Sequence, residues 1–516
     1  MRALLTMAAV AALIAAAPQA EAQEKSIRVR YNTDIRSTDP GVNRDENTDA
    51  VVQHMVEGLV AFREDASVGP LLAESMNVSA DARTYTFVLR DGLTFHNGAP
   101  VTSADVLWTW QRYLDPKSGF RCTADFDGRG LTKVTGITAP DARTVVFTLE
   151  QPSALFPAIM ARPDCGGTAV YHRDSLDADG KWKAPIGTGP FMLGEWKRGE
   201  YIELRRFAAY KSRGGPRDGL TGGKAAQVDR VRFVIIPDAA AAKAALLSGS
   251  VDVVPDVANS DVAELKKRAE LALSEAQTMG MSAILMQTRA PIMRDPRVRQ
   301  AVMASLDIAE LVGALTEGLG KPNTSPIPVA SGWHKGPHKD VPKQDLALAK
   351  KLLAEAGYKG EKIVMVANKR YQSMFDLAVL SQSMMQSAGL NVEIEVLDWA
   401  TQLDKYSKGD YQMMAFGYSA RLDPALSFEM VTGVKDKQPR KVWDSAEGET
   451  LIRQAMVETD QARRQALLDE LYTRFRADTP MVVLYNGVES TAVRKAVKGY
   501  ASWVMGTARL WGVSVD

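Results

Sequence analysis

The chain has 516 residues and a formal net charge of +1. Apolar residues make up 46% of it and charged residues 24%, the balance of an ordinary soluble globular protein, and its length suggests about three structural units. So neutral a chain offers no electrostatic case for nucleic acid or an anionic membrane surface as partner.

At the N-terminus, Arg2 precedes an apolar run over 3–17 whose only polar residue is Thr6, and Ala20-Glu21-Ala22 follows. Positive start, short apolar run and A-x-A site predict a secretory signal peptide over 1–22, cleaved after Ala22. The run is shorter than the about 20 apolar residues of a membrane span. With no Cys near the cleavage site, the expectation is a periplasmic protein that is not a lipoprotein. Cys122 and Cys165 are the two cysteines, and in an oxidising compartment they are expected to form one disulfide.

Residues 26–31 (SIRVRY) read as a strand, and 48–60, carrying His54, Glu57 and Gly58, reads as a helix. Over 84–90 the residues Tyr85, Phe87 and Leu89 alternate with Thr84, Thr86, Val88 and Arg90, the period of a half-buried strand. Asp91-Gly92 and Asn97-Gly98 are turn pairs. Thr102 with Asp105 three residues on is a capping box opening a helix. Residues 144–149 form another alternating strand, within a loop-rich stretch over 118–180. PIGTGPF over 185–191 marks a sharp, fixed turn. Strand, helix and strand follow over 228–236, 239–249 and 251–254.

Asp295-Pro296 starts the next helix, with Asp as cap and Pro at its first position. From Asp345 the pattern is alternating α/β: helices over 345–356, 375–388 and 401–408, each stopped by a glycine, separate strands over 362–367, 392–397 and 411–417. Helices over 451–458 and 460–476 and a strand over 481–485 complete the series.

In an open α/β sheet, ligands bind beyond the carboxyl ends of the strands. The residues there are Asn368-Lys369-Arg370, Asp398-Trp399 and the stretch from Tyr418 through Ser419 to Arg421. Amide, cations, carboxylate and aromatics suit a polar small molecule in an aromatic-walled cleft. Tyr31 and Asn32, following the first strand, are candidates for the facing lobe. Arg421 suits a bidentate carboxylate or phosphate; equally, it pairs with Asp423 or another nearby acid and braces its loop. Asp423-Pro424 reads as a turn. His54 falls on an apolar helix face and reads as a core residue, and His334 and His338 lack a local third ligand for a metal. No HExxH, GxSxG or phosphate-binding loop occurs, so no enzyme and no cofactor is expected.

The stretch YTFVLRDGLTFHNGAPVTSADVLWTWQRY over 85–113 resembles the signature region of the extracellular solute-binding proteins of the peptide/nickel ABC-transporter family. VVQHMVEGLVAF, PIGTGPF, MRDPRVRQAVMASLDIAELV and GYSARLDP resemble further landmarks in family order. The resemblance implies an α/β, two-lobed periplasmic binding protein of type II with an extra subdomain. Lobe I would comprise 23–60, 185–282 and 483–516, the subdomain 61–184, and lobe II 283–482, with hinge crossings near 281–286 and 479–485. It implies capture of a small polar solute, peptide-like or an anionic opine or sugar phosphate, by a monomer that delivers it to permease subunits of an ABC importer. Dipeptide and oligopeptide binders hold the peptide ammonium with an Asp where this chain has Arg421, a departure that argues against a free peptide N-terminus there. Related members carry metal chelates or haem, which stands as the alternative; a periplasmic hydrolase is the rival from another class.

Overall fold

The computed structural model describes residues 24–42, 45–130, 132–419, 421–458 and 460–516. The expected signal peptide lies outside them. Three sheets organise the chain. The first runs in the order Leu271–Gln277, Val488–Arg494, Val253–Val254, Ser26–Tyr31, Arg230–Ile235, Tyr201–Arg206, Phe191–Lys197. Ser26–Tyr31 is parallel to both of its neighbours, and every other pairing is antiparallel. Ile27 and Val29 are fully buried, as an alternating strand beneath a helix layer requires.

The second sheet has the order Lys321–Pro322, Met481–Asn486, Met281–Met286, Met413–Tyr418, Ile363–Ala367, Val392–Val396. Its last three strands are parallel, joined by the helices Gln372–Ser387 and Trp399–Lys408, as the α/β alternation predicts. Two nearly continuous apolar strands, IVMVA and MMAFGY, lie at its centre because helices cover both faces.

The third sheet, Ala73–Val78, Thr84–Leu89, Thr144–Leu149, Val134–Thr138, is antiparallel. Tyr85, Phe87 and Leu89 are fully buried, as their spacing predicts. The helix Ser103–Leu114 lays Trp110 over this face, 4.9 Å from the Phe147 ring and 5.0 Å from Phe126. Its capping box is formed: the Thr102 N–H and hydroxyl donate to the Asp105 carboxylate at 2.9 and 2.7 Å.

One reading is corrected. The helix expected over 48–60 is Glu46–Val52, with Asp45 as cap. It stops because the His54 ring takes the Ala50 carbonyl at 2.8 Å and the backbone then tightens. Gly58 must also pass so near Gly167 that a Cβ would stand 2.1 Å from its carbonyl oxygen. The chain crosses between the first and second sheets at 278–280 and at Gly487. The strands Met281–Met286 and Met481–Asn486 pair within the second sheet, as far as Met281 opposite Tyr418. The two crossings run side by side: Thr278 N–H donates to the Gly487 carbonyl at 2.9 Å, and Asn486 Nδ2 to the Gly280 carbonyl at 2.8 Å.

The PIGTGPF turn lies directly on the segment after the first helix. A Cβ on Gly187 would stand 2.2 Å from the Met55 carbonyl oxygen, and one on Gly189 2.5 Å from that of His54. Only glycine permits that approach. Among the described residues no helix is long and apolar enough to cross a membrane.

Candidate binding site between the lobes

The carboxyl ends of the three parallel strands face the first sheet and the third-sheet module. Trp399 opens its helix, with Asp398 as cap accepting from Thr401 N–H at 3.1 Å. Its ring is stacked on Phe416 at 5.8 Å and meets Tyr371 edge-on at 5.0 Å. The indole N–H is buried with no hydrogen-bond partner among the described residues. Tyr418 is buried against Phe416 and Tyr406. Asn368 is spent within its own lobe: Oδ1 accepts from Tyr371 N–H at 2.9 Å, and Nδ2 donates to Gln402 at 2.9 Å.

Arg421 reaches across. Its Nη2 donates to the Asp164 carboxylate at 2.8 Å, and Nη1 donates to the Ser419 carbonyl at 3.3 Å. Asp164 belongs to the third-sheet module, so this ion pair, 4% and 3% exposed, joins the two sides of the cleft. Arg162 sits between Asp125 and Asp164, donating at 2.7 and 2.8 Å. Burial works against its charge, yet the two acids hold its pKa above the ordinary value. Arg440 adds a cation 3.9 Å from Asp125.

The disulfide Cys122–Cys165 is formed, as expected. It fixes the backbone from which Asp125 and Asp164 converge on Arg162. Asp125 approaches both sulfurs within 4.8 Å, but sulfurs joined to each other offer no thiolate to a metal.

On the facing side, Tyr31 ends its strand against Phe233, ring centroids 4.8 Å apart, with its hydroxyl buried and without a hydrogen-bond partner among the described residues. Asn32 accepts from Asn47 Nδ2 at 2.9 Å and so braces the first helix. Asp45 receives the Thr48 N–H and hydroxyl at 2.9 and 2.8 Å, and Arg370 from the second lobe approaches it at 3.8 Å. Sequence spacing gave no sign of Asp164, Asp45, Glu489 or Asp256, because each meets its neighbours through the tertiary fold alone. Asp256 lines a small recess with Arg30 and Val254, and its carboxyl pKa is raised by desolvation, which Arg30 opposes.

His54 and His338 are both fully buried. His54 bonds Ala50 O and accepts from Leu510 N–H at 3.1 Å, and burial lowers its pKa to about 3. Ser325, His338 and Asp469 form a serine–histidine–acid sequence of contacts, with Ser325 Oγ 2.7 Å from Nδ1 and Asp469 3.3 Å from Nε2. Ser325 is fully buried and accepts the Ile327 N–H, so it presents no nucleophile.

Two lobes linked by paired crossings, with charged and aromatic side chains converging between them, define a ligand-capture protein. The model of the bacterial extracellular solute-binding proteins, family 5 (middle), matches residues 67–438. The probable D,D-dipeptide-binding periplasmic protein DdpA of Escherichia coli is 25% identical over 480 residues, covering 90% of this chain and 89% of that one. Heme-binding protein A of Haemophilus influenzae is 24% identical over 560 residues, covering 100% and 99%. The structure of AgaA from A. tumefaciens R10 in complex with agropinic acid matches with a TM-score of 0.84 at 26% identity, covering 95% of this chain and 99% of that one. The chain belongs to the family 5 bacterial extracellular solute-binding proteins, whose members are binding proteins rather than enzymes.

Proposed function

We propose that this chain is the periplasmic substrate-binding component of an ABC importer. It captures a small polar solute between its lobes, as a monomer and without a cofactor, and presents the closed form to permease subunits in the inner membrane. The lobes turn on residues 278–280 and Gly487. The carrying observation is the pair of adjacent crossings set against ion pairs that span the opposing faces, Arg421 with Asp164 and Arg370 with Asp45. Such an arrangement favours hinge closure around a trapped ligand.

Arg421 has a carboxylate partner in this closed arrangement, which supports a bracing role across the cleft rather than a free anion clamp. Trp399 and Tyr31 each keep a buried donor with no hydrogen-bond partner among the described residues, which supports their contacting a solute; Tyr418, Ser419, Asn368 and Asn32 are the further candidates of this reading. Native mass spectrometry of protein purified from the periplasm, followed by denaturation, tests the reading. A small molecule released only on unfolding is expected. A chain that carries none, and shows no thermal stabilisation in a library of small polar solutes, would overturn it.

A further inference from the structure

We propose that the chain carries an anion site outside the interlobe cleft, where Arg90, Lys211 and Arg213 hold a phosphate-type dianion, free or as the monoester of a small organic molecule. The site is a pocket of about 570 Å³ at the seam between the third sheet and the loop that follows the strand Tyr201–Arg206. Its lining residues all fall within 63–222, so no strand or helix of the second lobe contributes to it.

One backbone oxygen brings two guanidiniums together there. Arg90 Nε and Arg213 Nε both donate to the Leu71 carbonyl, at 3.0 and 3.2 Å. Arg90 Nη1 also donates to the Lys211 carbonyl at 2.9 Å, and Arg213 Nη2 to the Ala73 carbonyl. These carbonyls fix both side chains in place without neutralising them. Arg90 Nη2 is left buried with no hydrogen-bond partner among the described residues, which native interiors avoid unless something else completes the contact. Lys211 lies across the Asp91-Gly92 turn, where a Cβ on Gly92 would collide with its Nζ. Among the described residues, Arg63 pairs with Asp218 at 3.4 Å, whereas Arg90, Lys211 and Arg213 have no ion-pair partner.

The acids of the pocket do not cancel this charge. Asp218 is committed to Arg63 and accepts the Glu64 N–H at 2.9 Å. Glu74 and Asp91 also line the pocket but are exposed, where water and salt screen them. Glu57, the next acid, is taken by Lys224 at 2.9 Å. Burial first, then Arg90, holds the Arg213 pKa below the ordinary guanidinium value; Arg63 adds to this, and Glu74 and Glu57 oppose it. Two guanidiniums on one carbonyl, with an ammonium beside them, repel one another until an anion sits among them. A phosphate group concentrates nearly two charges on several acceptor oxygens, whereas a carboxylate spreads one charge over two. Arginine forks beside a lysine point charge match the phosphate.

Isothermal titration of the mature protein at low ionic strength with inorganic phosphate, glycerol phosphate and succinate tests this. At least one of the phosphates is expected to bind, and the tighter of the two identifies the source, free ion or organic ester. Succinate, whose two charges sit on separate groups, is expected to bind about tenfold more weakly or not at all. Arg213→Gln and Lys211→Gln are each expected to weaken the phosphate by about tenfold, with unchanged circular dichroism spectra. Arg213 also braces two backbone carbonyls, so Lys211→Gln, which leaves those contacts untouched, decides the test. No phosphate binding by the wild type, equal binding by Lys211→Gln, or succinate bound as tightly as phosphate overturns the inference. Solute capture between the lobes stands or falls separately, because this pocket shares no residue with the cleft candidates.

Discussion

The Arg421 guanidinium meets the Asp164 carboxylate at 2.8 Å between segments 257 residues apart, and both side chains are almost wholly buried. Asp164 is held by Arg162 on one side and lies beside Cys165 of the disulfide. A covalent link in the third-sheet module therefore positions the acid that meets the second lobe. Water must leave both groups when the lobes close, so the pair forms at a desolvation cost that only good geometry offsets.

Arg421→Ala removes one partner of this pair and leaves Asp164 with Arg162. We expect a loss of about 2–3 kcal/mol in urea unfolding, since a buried acid loses part of its compensation. Small-angle scattering should show a larger radius of gyration for the ligand-free variant. An unchanged radius would remove the pair from any part in holding the lobes together.

Replacing Cys122 and Cys165 with serine opens a loop whose ends are 43 residues apart in sequence. Chain-entropy arguments put the cost at about 4 kcal/mol. Urea midpoints of the variant should match those of wild type under reducing conditions. A variant as stable as the oxidised wild type would contradict the expectation.

Glu489 gives a pH dependence. Its carboxyl is pushed up from 4.5 to about 7, by burial first; the Thr491 hydroxyl and Arg509 oppose the shift and Asp256 adds to it. The folded chain thus keeps a proton between pH 4.5 and 7 that the unfolded chain gives up. Stability from this group is full below 4.5 and falls as pH rises to 7, by about 3 kcal/mol. Glu489→Gln should therefore melt higher than wild type at pH about 8 and close to it at pH about 4.5. Equal differences at both pH values would rule out this titration.

Lys224 and Glu57 form a second buried pair, 2.9 Å apart and 2% and 0% exposed. Tyr210 and Thr188 also donate to Glu57, at 2.8 and 3.3 Å. Lys224→Met leaves the carboxylate without its cation and should cost about 3–5 kcal/mol. The double variant with Glu57→Gln should recover part of that loss. Additive losses in a double-mutant cycle would show that the two groups do not interact.

The local features were legible in the sequence because local geometry sets them. The strand Ser26–Tyr31, the Thr102–Asp105 box and the three parallel strands of the second sheet follow from period, capping and turn chemistry. The helix expected to continue to residue 60 is shorter because His54 competes for Ala50 and Gly58 abuts Gly167, two contacts invisible in a helical pattern.

By itself the sequence determined an α/β chain, its secondary-structure series and a pair of cysteines suited to one disulfide. Only the tertiary structure decided that Arg421 meets Asp164, that Asn368 is spent on Gln402, and that Lys224 is buried against Glu57. The reason is physical. Secondary structure and caps depend on neighbours within a few residues, whereas a charge buried in a cleft finds its partner only after distant segments have packed and excluded water.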